Sequence, residues 1–155
     1  MYYNMWEVLS VIGVFGPYIT AAVIVTEIII YQESLFKIGL ILLWQPLNVM
    51  INSLLKEIIN QDRPKGTKHV NKLEEYIDEG SKGMPSGHAQ VVGSELALAF
   101  LTCNVVTKFF MIFQTGLTLY QRYSYKKHTI MQLIIGLIIG IIYSFLFWKL
   151  FTRLE

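Results

Sequence analysis

The chain has 155 residues, of which 54% are hydrophobic and 15% carry a charge, and its formal net charge is +2. A soluble domain of this length normally carries more charge and shorter apolar runs, so the composition excludes an ordinary soluble protein and indicates an integral membrane protein. The few charges are spread along the chain and do not form the basic surface of a nucleic-acid-binding domain, so we expect no nucleic-acid partner.

Five apolar segments approach the length of about 20 residues that a helix needs to cross a bilayer. They predict an all-α fold, a polytopic membrane bundle of about five transmembrane helices in a single domain, residues 1–155. The predicted spans are approximately 8–31, 35–55, 86–104, 106–121 and 129–150. The first Lys or Arg is Lys37, so the first segment lacks the basic start of a cleaved signal peptide and we expect a retained helix.

One long hydrophilic segment, residues 56–88, separates the second and third predicted spans and holds six of the thirteen Lys and Arg residues. If the third span crosses the membrane and the fourth returns, residues 121–128 emerge on the same side as this segment. That face would then carry nine of the thirteen Lys and Arg residues. By the positive-inside rule this charge excess favours a cytoplasmic face.

Three short motifs fall on this common face. They are Lys56-x6-Arg63-Pro64, Pro85-Ser86-Gly87-His88 and Arg122-x5-His128-x3-Gln132. Taken singly, each has an ordinary interpretation: an interfacial lysine, a turn, a helix start, or loop cations that set membrane orientation. Taken together, in this order and on one face, they favour a shared functional site. Lys126 and Lys127 match no motif position and are interpreted as orientation charges.

The residue types in these motifs suit phosphoryl transfer. The transferring group spreads negative charge over its oxygens, and Lys56, Arg63 and Arg122 could stabilise that charge. Ser86 stands where a helix N-cap would stand, and the backbone N–H groups that follow, at Gly87 and beyond, would form an anion site at the helix start. We therefore expect these side chains and this helix start to bind phosphate.

In order and spacing, the motifs resemble the type 2 phosphatidic acid phosphatase superfamily of membrane lipid phosphatases, whose pattern is K-x6-RP, PSGH and SR-x5-H-x3-D. The resemblance implies that His128 is the nucleophile and forms a phosphohistidine. It implies that His88 protonates the leaving group and then activates water. It also implies catalysis without a metal or another cofactor, and a lipid phosphate or diphosphate as the substrate, taken from among membrane lipids.

The chain departs from the family pattern at two positions. Gln121 stands where the family usually has Ser, and Gln132 where it usually has Asp. From the i, i+4 spacing we expect Gln132 beside His128 on one helix face, where its carbonyl would fix the imidazole tautomer. A neutral amide would stabilise the positive charge on His128 less than a carboxylate does, which would suit a good leaving group such as that of a diphosphate.

The stretches "GMPSGHAQ" and "HTIMQ" resemble the dolichyl-diphosphatase branch of the superfamily. That resemblance implies an enzyme that removes the terminal phosphate of a polyprenyl (dolichyl-type) diphosphate, with its site facing the lumen of the endoplasmic reticulum, in conflict with the charge count. One alternative is a general lipid phosphate phosphatase acting on phosphatidate-type monoesters. Another is a catalytically silent membrane protein of the same fold that binds lipids.

Several polar residues lie inside the predicted spans. Asn48, Asn52 and Lys56 recur at every fourth position and lead towards the motifs, and we expect the two asparagines to make hydrogen bonds between helices. His88 and Glu95 are seven residues apart and would share a helix face. Ionisable groups inside a membrane are costly, so Glu95 is either a support of the site or a structural partner of another helix.

Overall fold

The computed structural model describes residues 5–30, 35–70, 72, 74–75 and 82–153. This part of the chain is mostly helical and contains no strand, which confirms the predicted all-α fold. Residue 31 of the first predicted span lies outside it, as do residues 71, 73 and 76–81 of the hydrophilic segment. The helices are α1 (Met5–Val14), α2 (Gly16–Ile30), α3 (Leu35–Ile59), α4 (Gly87–Thr102), α5 (Val105–Ser124) and α6 (Ile130–Phe151).

The architecture is that of an integral membrane protein. Residues Ile38–Ile59 of α3 and Ile130–Leu150 of α6 are each long and apolar enough to cross a bilayer. Large apolar side chains such as Phe109, Phe113 and Leu146 are exposed on the outside of the bundle, where lipid would cover them. The crossing of the membrane by all five predicted segments stays a prediction.

The first predicted span is divided in two. α1 and the first part of α2 meet at an angle of 62°, and together they are long and apolar enough for one span. The bend lies beside Pro17, which cannot donate a backbone hydrogen bond to the preceding turn. Gly13 also lets this region approach α5, because a Cβ atom there would lie 2.8 Å from Cβ of Gln121.

Helix α4 lies at the centre of the bundle and contacts α2, α3, α5 and α6. Its crossing with α6 is close because small residues line it. A Cβ atom on Gly93 would lie 2.7 Å from the carbonyl oxygen of Leu137, and Ser144 Oγ donates to the carbonyl oxygen of Ser94 at 2.7 Å. This contact holds the starts of α4 and α6 side by side, so that the backbone N–H of Ser86 donates to the carbonyl oxygen of Gln132 at 3.2 Å.

Buried amide side chains join α3 to α4. Asn48 donates to Ser94 Oγ at 2.9 Å and accepts from Gln90 Nε2 at 2.8 Å, while Asn52 donates to Gln90 Oε1 at 2.9 Å. The predicted interhelical hydrogen bonds of both asparagines are therefore confirmed. Because these groups are paired with one another, they fix the angular and axial position of α3 against α4 within an apolar surrounding.

The α4–α6 crossing generates a stability prediction. Gly93→Ala should destabilise the protein by roughly 1–3 kcal/mol, because the added methyl group would meet the backbone of Leu137 and not a movable side chain. Gly116→Ala in α5 is the matched control, since a Cβ atom there meets nothing within 4 Å. Thermal unfolding in detergent checks both variants, and an equal effect of the two substitutions would contradict the close crossing.

Candidate active site

Three separate segments meet at one end of the bundle, where α3 ends, α4 begins, and α5 connects to α6. Backbone hydrogen bonds join them: Gly83 donates to Gln61 at 2.7 Å, and Lys68 donates to Tyr125 at 2.9 Å. The structure thus brings together the described residues of 56–88 and residues 121–128, as their predicted position on one face requires. All three sequence motifs lie in these segments.

His128 is held in a defined orientation and tautomer. It is 2% exposed, and its Nδ1 atom lies 2.8 Å from the carbonyl oxygen of Gly83. A carbonyl oxygen can only accept, so Nδ1 carries the proton and donates it. The other ring nitrogen, Nε2, then carries the lone pair, which is the arrangement that a nucleophilic imidazole needs.

The three predicted phosphate-binding cations act on this histidine. Burial lowers the pKa of His128 to about 3 from its ordinary value of 6.5, and the positive charges of Arg63, Arg122 and Lys56 act in the same direction. The imidazole therefore stays neutral at physiological pH, because both its burial and the three cations disfavour a second proton. A bound phosphate dianion would meet a positive field and a nitrogen whose lone pair is available.

The contacts of Gln132 differ from those predicted from the sequence. His128 precedes α6 and does not lie on its first turn, so the expected contact along a helix face is wrong. Gln132 instead forms a capping box with Thr129, and its Nε2 atom donates to Gln61 Oε1 and to the carbonyl oxygen of Asp62, both at 3.0 Å. It ties the start of α6 to the segment after α3, while the carbonyl of Gly83 fixes the tautomer of His128.

The Pro85-Ser86-Gly87 turn opens α4 as predicted. Ser86 is fully buried and is the N-cap, with its hydroxyl group accepting from the N–H of Ala89 at 3.4 Å. Gly87 lies against α3, because a Cβ atom there would lie 3.1 Å from Asn52 Oδ1. Asn52 also donates to the carbonyl oxygen of Pro85 at 3.4 Å, so this asparagine supports the turn from the side of α3. Phosphate binding by the turn stays a prediction.

His88 and His128 line different concavities. His88 lines a cavity of about 300 Å³ between α2, α3 and α4, together with Asn52 and Glu95. His128 lines a groove beside Pro64 and the start of α6. The expected joint action of the two histidines on one phosphoryl group, as nucleophile and proton donor, stays a prediction.

Glu95 is bonded to two neighbouring helices. Its carboxylate accepts from Gln45 Nε2 in α3 at 2.7 Å and from the hydroxyl group of Thr20 in α2. The structure therefore favours the structural interpretation of this residue, although Glu95 also lines the cavity of His88. Within the described residues, no group of three or more His, Cys, Asp or Glu side chains could hold a metal ion.

The sequence of this chain matches the PAP2 superfamily over residues 34–155. The chain belongs to the PAP2 superfamily. A comparison with curated proteins gives no significant match. The structure is similar to the crystal structure of a transmembrane PAP2-type phosphatidylglycerolphosphate phosphatase from Bacillus subtilis, with a TM-score of 0.75 and 20% identity, covering 99% of this chain and 80% of that one. At this level of identity the similarity supports the PAP2 fold alone.

Beyond the superfamily motifs, the site contains residues that the sequence analysis missed or misassigned. Lys127, interpreted as an orientation charge, is fully buried beside Glu74 and His69. Gly83 was not singled out, although its carbonyl oxygen bonds to His128. Glu74 and Lys127 match no motif position and are far apart in sequence, so no local spacing pattern could identify their pairing.

The tautomer of His128 can be tested directly in substrate-free protein. Because its pKa is lowered to about 3, the ring is half protonated only near that pH, and ¹⁵N NMR of histidine-labelled protein should show a neutral Nδ1–H imidazole between about pH 8 and pH 5. His128→Ala identifies the resonance by its loss. An imidazole that gains a second proton near pH 6.5 would contradict the buried, cation-surrounded geometry.

The role assigned to Gln132 is testable with a near-isosteric substitution. Gln132→Glu removes both amide donors and places a carboxylate against two acceptor oxygens, so it should destabilise the protein by roughly 1–3 kcal/mol. Hydrogen exchange at the Gly83 amide should accelerate, since that amide bonds to Gln61. Gln61→Ala, which removes one acceptor at an exposed position, should have the smaller effect in thermal unfolding. Unchanged stability and exchange in Gln132→Glu would refute this role.

Proposed function

We propose that this PAP2 protein is a membrane lipid phosphatase that works through a phosphohistidine at His128. The observation that carries the proposal is the neutral state of His128. Its Nδ1–H donates to the carbonyl oxygen of Gly83, and the positive charges of three cations lower its pKa. A histidine protonated at Nδ1 can attack through Nε2. Family membership, shown by the sequence match over most of the chain, supports the same reaction class.

In the proposed first step, Nε2 of His128 attacks the phosphorus atom, and the bond between phosphorus and the leaving-group oxygen breaks. Lys56, Arg63 and Arg122 stabilise the negative charge on the other phosphate oxygens as the group transfers. His88 donates a proton to the departing oxygen, so that the lipid leaves as an alcohol or as a protonated phosphate monoester.

His88 has lost its proton in the first step, so it acts as a base in the second step. It removes a proton from water, the water oxygen attacks the phosphohistidine, and the bond between nitrogen and phosphorus breaks. Inorganic phosphate leaves and His128 returns to its neutral form. The backbone N–H groups at the start of α4, which follow Ser86 in the chain, would contribute to phosphate binding in both steps.

We infer that the substrate is the terminal phosphate of a polyprenyl diphosphate, on the strength of the "GMPSGHAQ" and "HTIMQ" stretches. The same resemblance supports a location in the endoplasmic reticulum. The second candidate is a phosphatidate-type monoester. It is favoured by one observation: Gln132 binds the loop at residues 61–62 and not His128, so the identity of residue 132 gives no reason to restrict the enzyme to good leaving groups.

The proposal predicts phosphate release that depends on His128. Purified protein in EDTA should release phosphate from polyprenyl diphosphate, phosphatidate or both, and His128→Ala should lower the rate on the order of a thousandfold or more, because the nucleophile is lost. Protein labelled from a substrate that carries ³²P in its terminal phosphate, and denatured in SDS at alkaline pH, should carry an acid-labile, alkali-stable phosphoryl group that the His128→Ala variant lacks.

Arg153→Ala, at an exposed position after α6, is the control and should retain the full rate. The ratio of the two substrate rates decides between the diphosphate and the monoester. No release from either substrate, with the wild type equal to His128→Ala, would refute the enzyme interpretation and leave a lipid-binding protein of the same fold.

A further inference from the structure

Three charged side chains that pack together behind the phosphate site are almost entirely buried. Arg122 and Lys127 are 0% exposed and Glu74 is 7% exposed. Glu74 Oε1 lies 2.6 Å from Nη1 of Arg122 and 3.3 Å from Nζ of Lys127, so one carboxylate oxygen serves both cations. Burying a charge is costly unless it is paired, and here both cations pair with the same carboxylate.

The carboxylate of Glu74 is itself held at both oxygens. Its Oε2 atom accepts from the backbone N–H of Val70 at 2.7 Å, which leaves Oε1 directed at the cations. The segment around Val70 is anchored to the α5–α6 connection by two further bonds. Lys68 donates its N–H to the carbonyl oxygen of Tyr125 at 2.9 Å, and the hydroxyl group of Thr67 donates to the carbonyl oxygen of Lys126 at 3.2 Å. Glu74 is therefore a fixed anion.

Lys127 has a second partner. Its Nζ atom lies 2.7 Å from Nδ1 of His69, and because an ammonium group can only donate, that ring nitrogen accepts. Among the described residues, one carboxylate thus joins two cations, and His69 accepts from one of them.

We propose that Glu74 is a positioning residue of the phosphate site, which fixes the guanidinium of Arg122 for phosphate binding and shares its carboxylate with Lys127 as a second, structural cation. The inference rests on the proposed function for its catalytic readout. A guanidinium has five N–H donors in a rigid plane, so a fixed carboxylate at Nη1 sets the orientation of the whole group. Its misplacement would weaken transition-state stabilisation more than substrate binding.

The test uses the full-length protein and its better substrate. Glu74→Gln keeps the shape of the side chain but removes its charge, and it should lower kcat by about 10- to 100-fold with a smaller change in KM, as expected for a misplaced positioning group. Glu74→Asp keeps the charge but shortens the side chain, and should give an intermediate loss. Glu75→Gln, at the exposed neighbouring position, is the matched control and should leave kcat unchanged.

A double-mutant cycle separates positioning from a general structural effect. If Glu74 acts through Arg122, the loss caused by Glu74→Gln should largely disappear in an Arg122→Lys background, since the planar group to be oriented is absent. Thermal unfolding of each variant identifies a folding defect, and Glu74→Asp keeps the test decisive if Glu74→Gln does not fold.

The outcomes are distinguishable from those of the proposed function. A wild-type protein that releases no phosphate refutes the phosphatase proposal. An active wild type with equally active Glu74→Gln and Glu74→Asp variants overturns the positioning inference alone. Multiplicative losses in the double variant would also overturn it, as would a rise in activity in Glu74→Gln, the sign of a carboxylate that competes with phosphate for Arg122.

Discussion

The hydrogen bond from His128 Nδ1 to the carbonyl oxygen of Gly83 is the contact on which the candidate site depends. It requires the chain before α4 to pass very close to the start of α6. Only glycine permits that approach at residue 83, because a Cβ atom there would lie 2.8 Å from both the carbonyl oxygen of Asp62 and Nε2 of Gln132. The close α4–α6 crossing and the Gln132 contacts act together to keep these segments in place. The imidazole of His128 is thus oriented by packing throughout one end of the bundle.

The electrostatics of the site follow from the same burial. Burial is the largest cause that lowers the pKa of His128, and the positive charges of three cations lower it further, so the ring is held neutral. Under the proposed function, the positive charges of Lys56, Arg63 and Arg122 would favour a phosphate dianion over a neutral headgroup, because only a charged ligand gains from their field.

Much of this site could be predicted from the sequence, for identifiable reasons. Lys56, Arg63, Arg122 and His128 were found because their spacing and order are local properties of the chain, and the shared face followed from counting spans. The interhelical bonds of Asn48 and Asn52 followed from the cost of unpaired amides in an apolar surrounding. The pairing of Glu74 with Arg122 could not be found in this way, because it joins two segments 48 residues apart without any motif.

The predicted contact between Gln132 and His128 is wrong for a different physical reason. An i, i+4 contact exists only if both residues lie within the helix, and Thr129 caps α6 one residue after His128. Because Gln132 belongs to the capping box of α6, the replacement of the family's Asp by Gln affects the start of this helix and not a contact with His128. A neutral backbone carbonyl fixes the histidine, and Glu74 is the described carboxylate that contacts Arg122. The carboxylate of Glu74 therefore contacts a cation that we expect to bind phosphate, whereas His128 contacts a backbone carbonyl, so separate groups orient Arg122 and His128 in this chain.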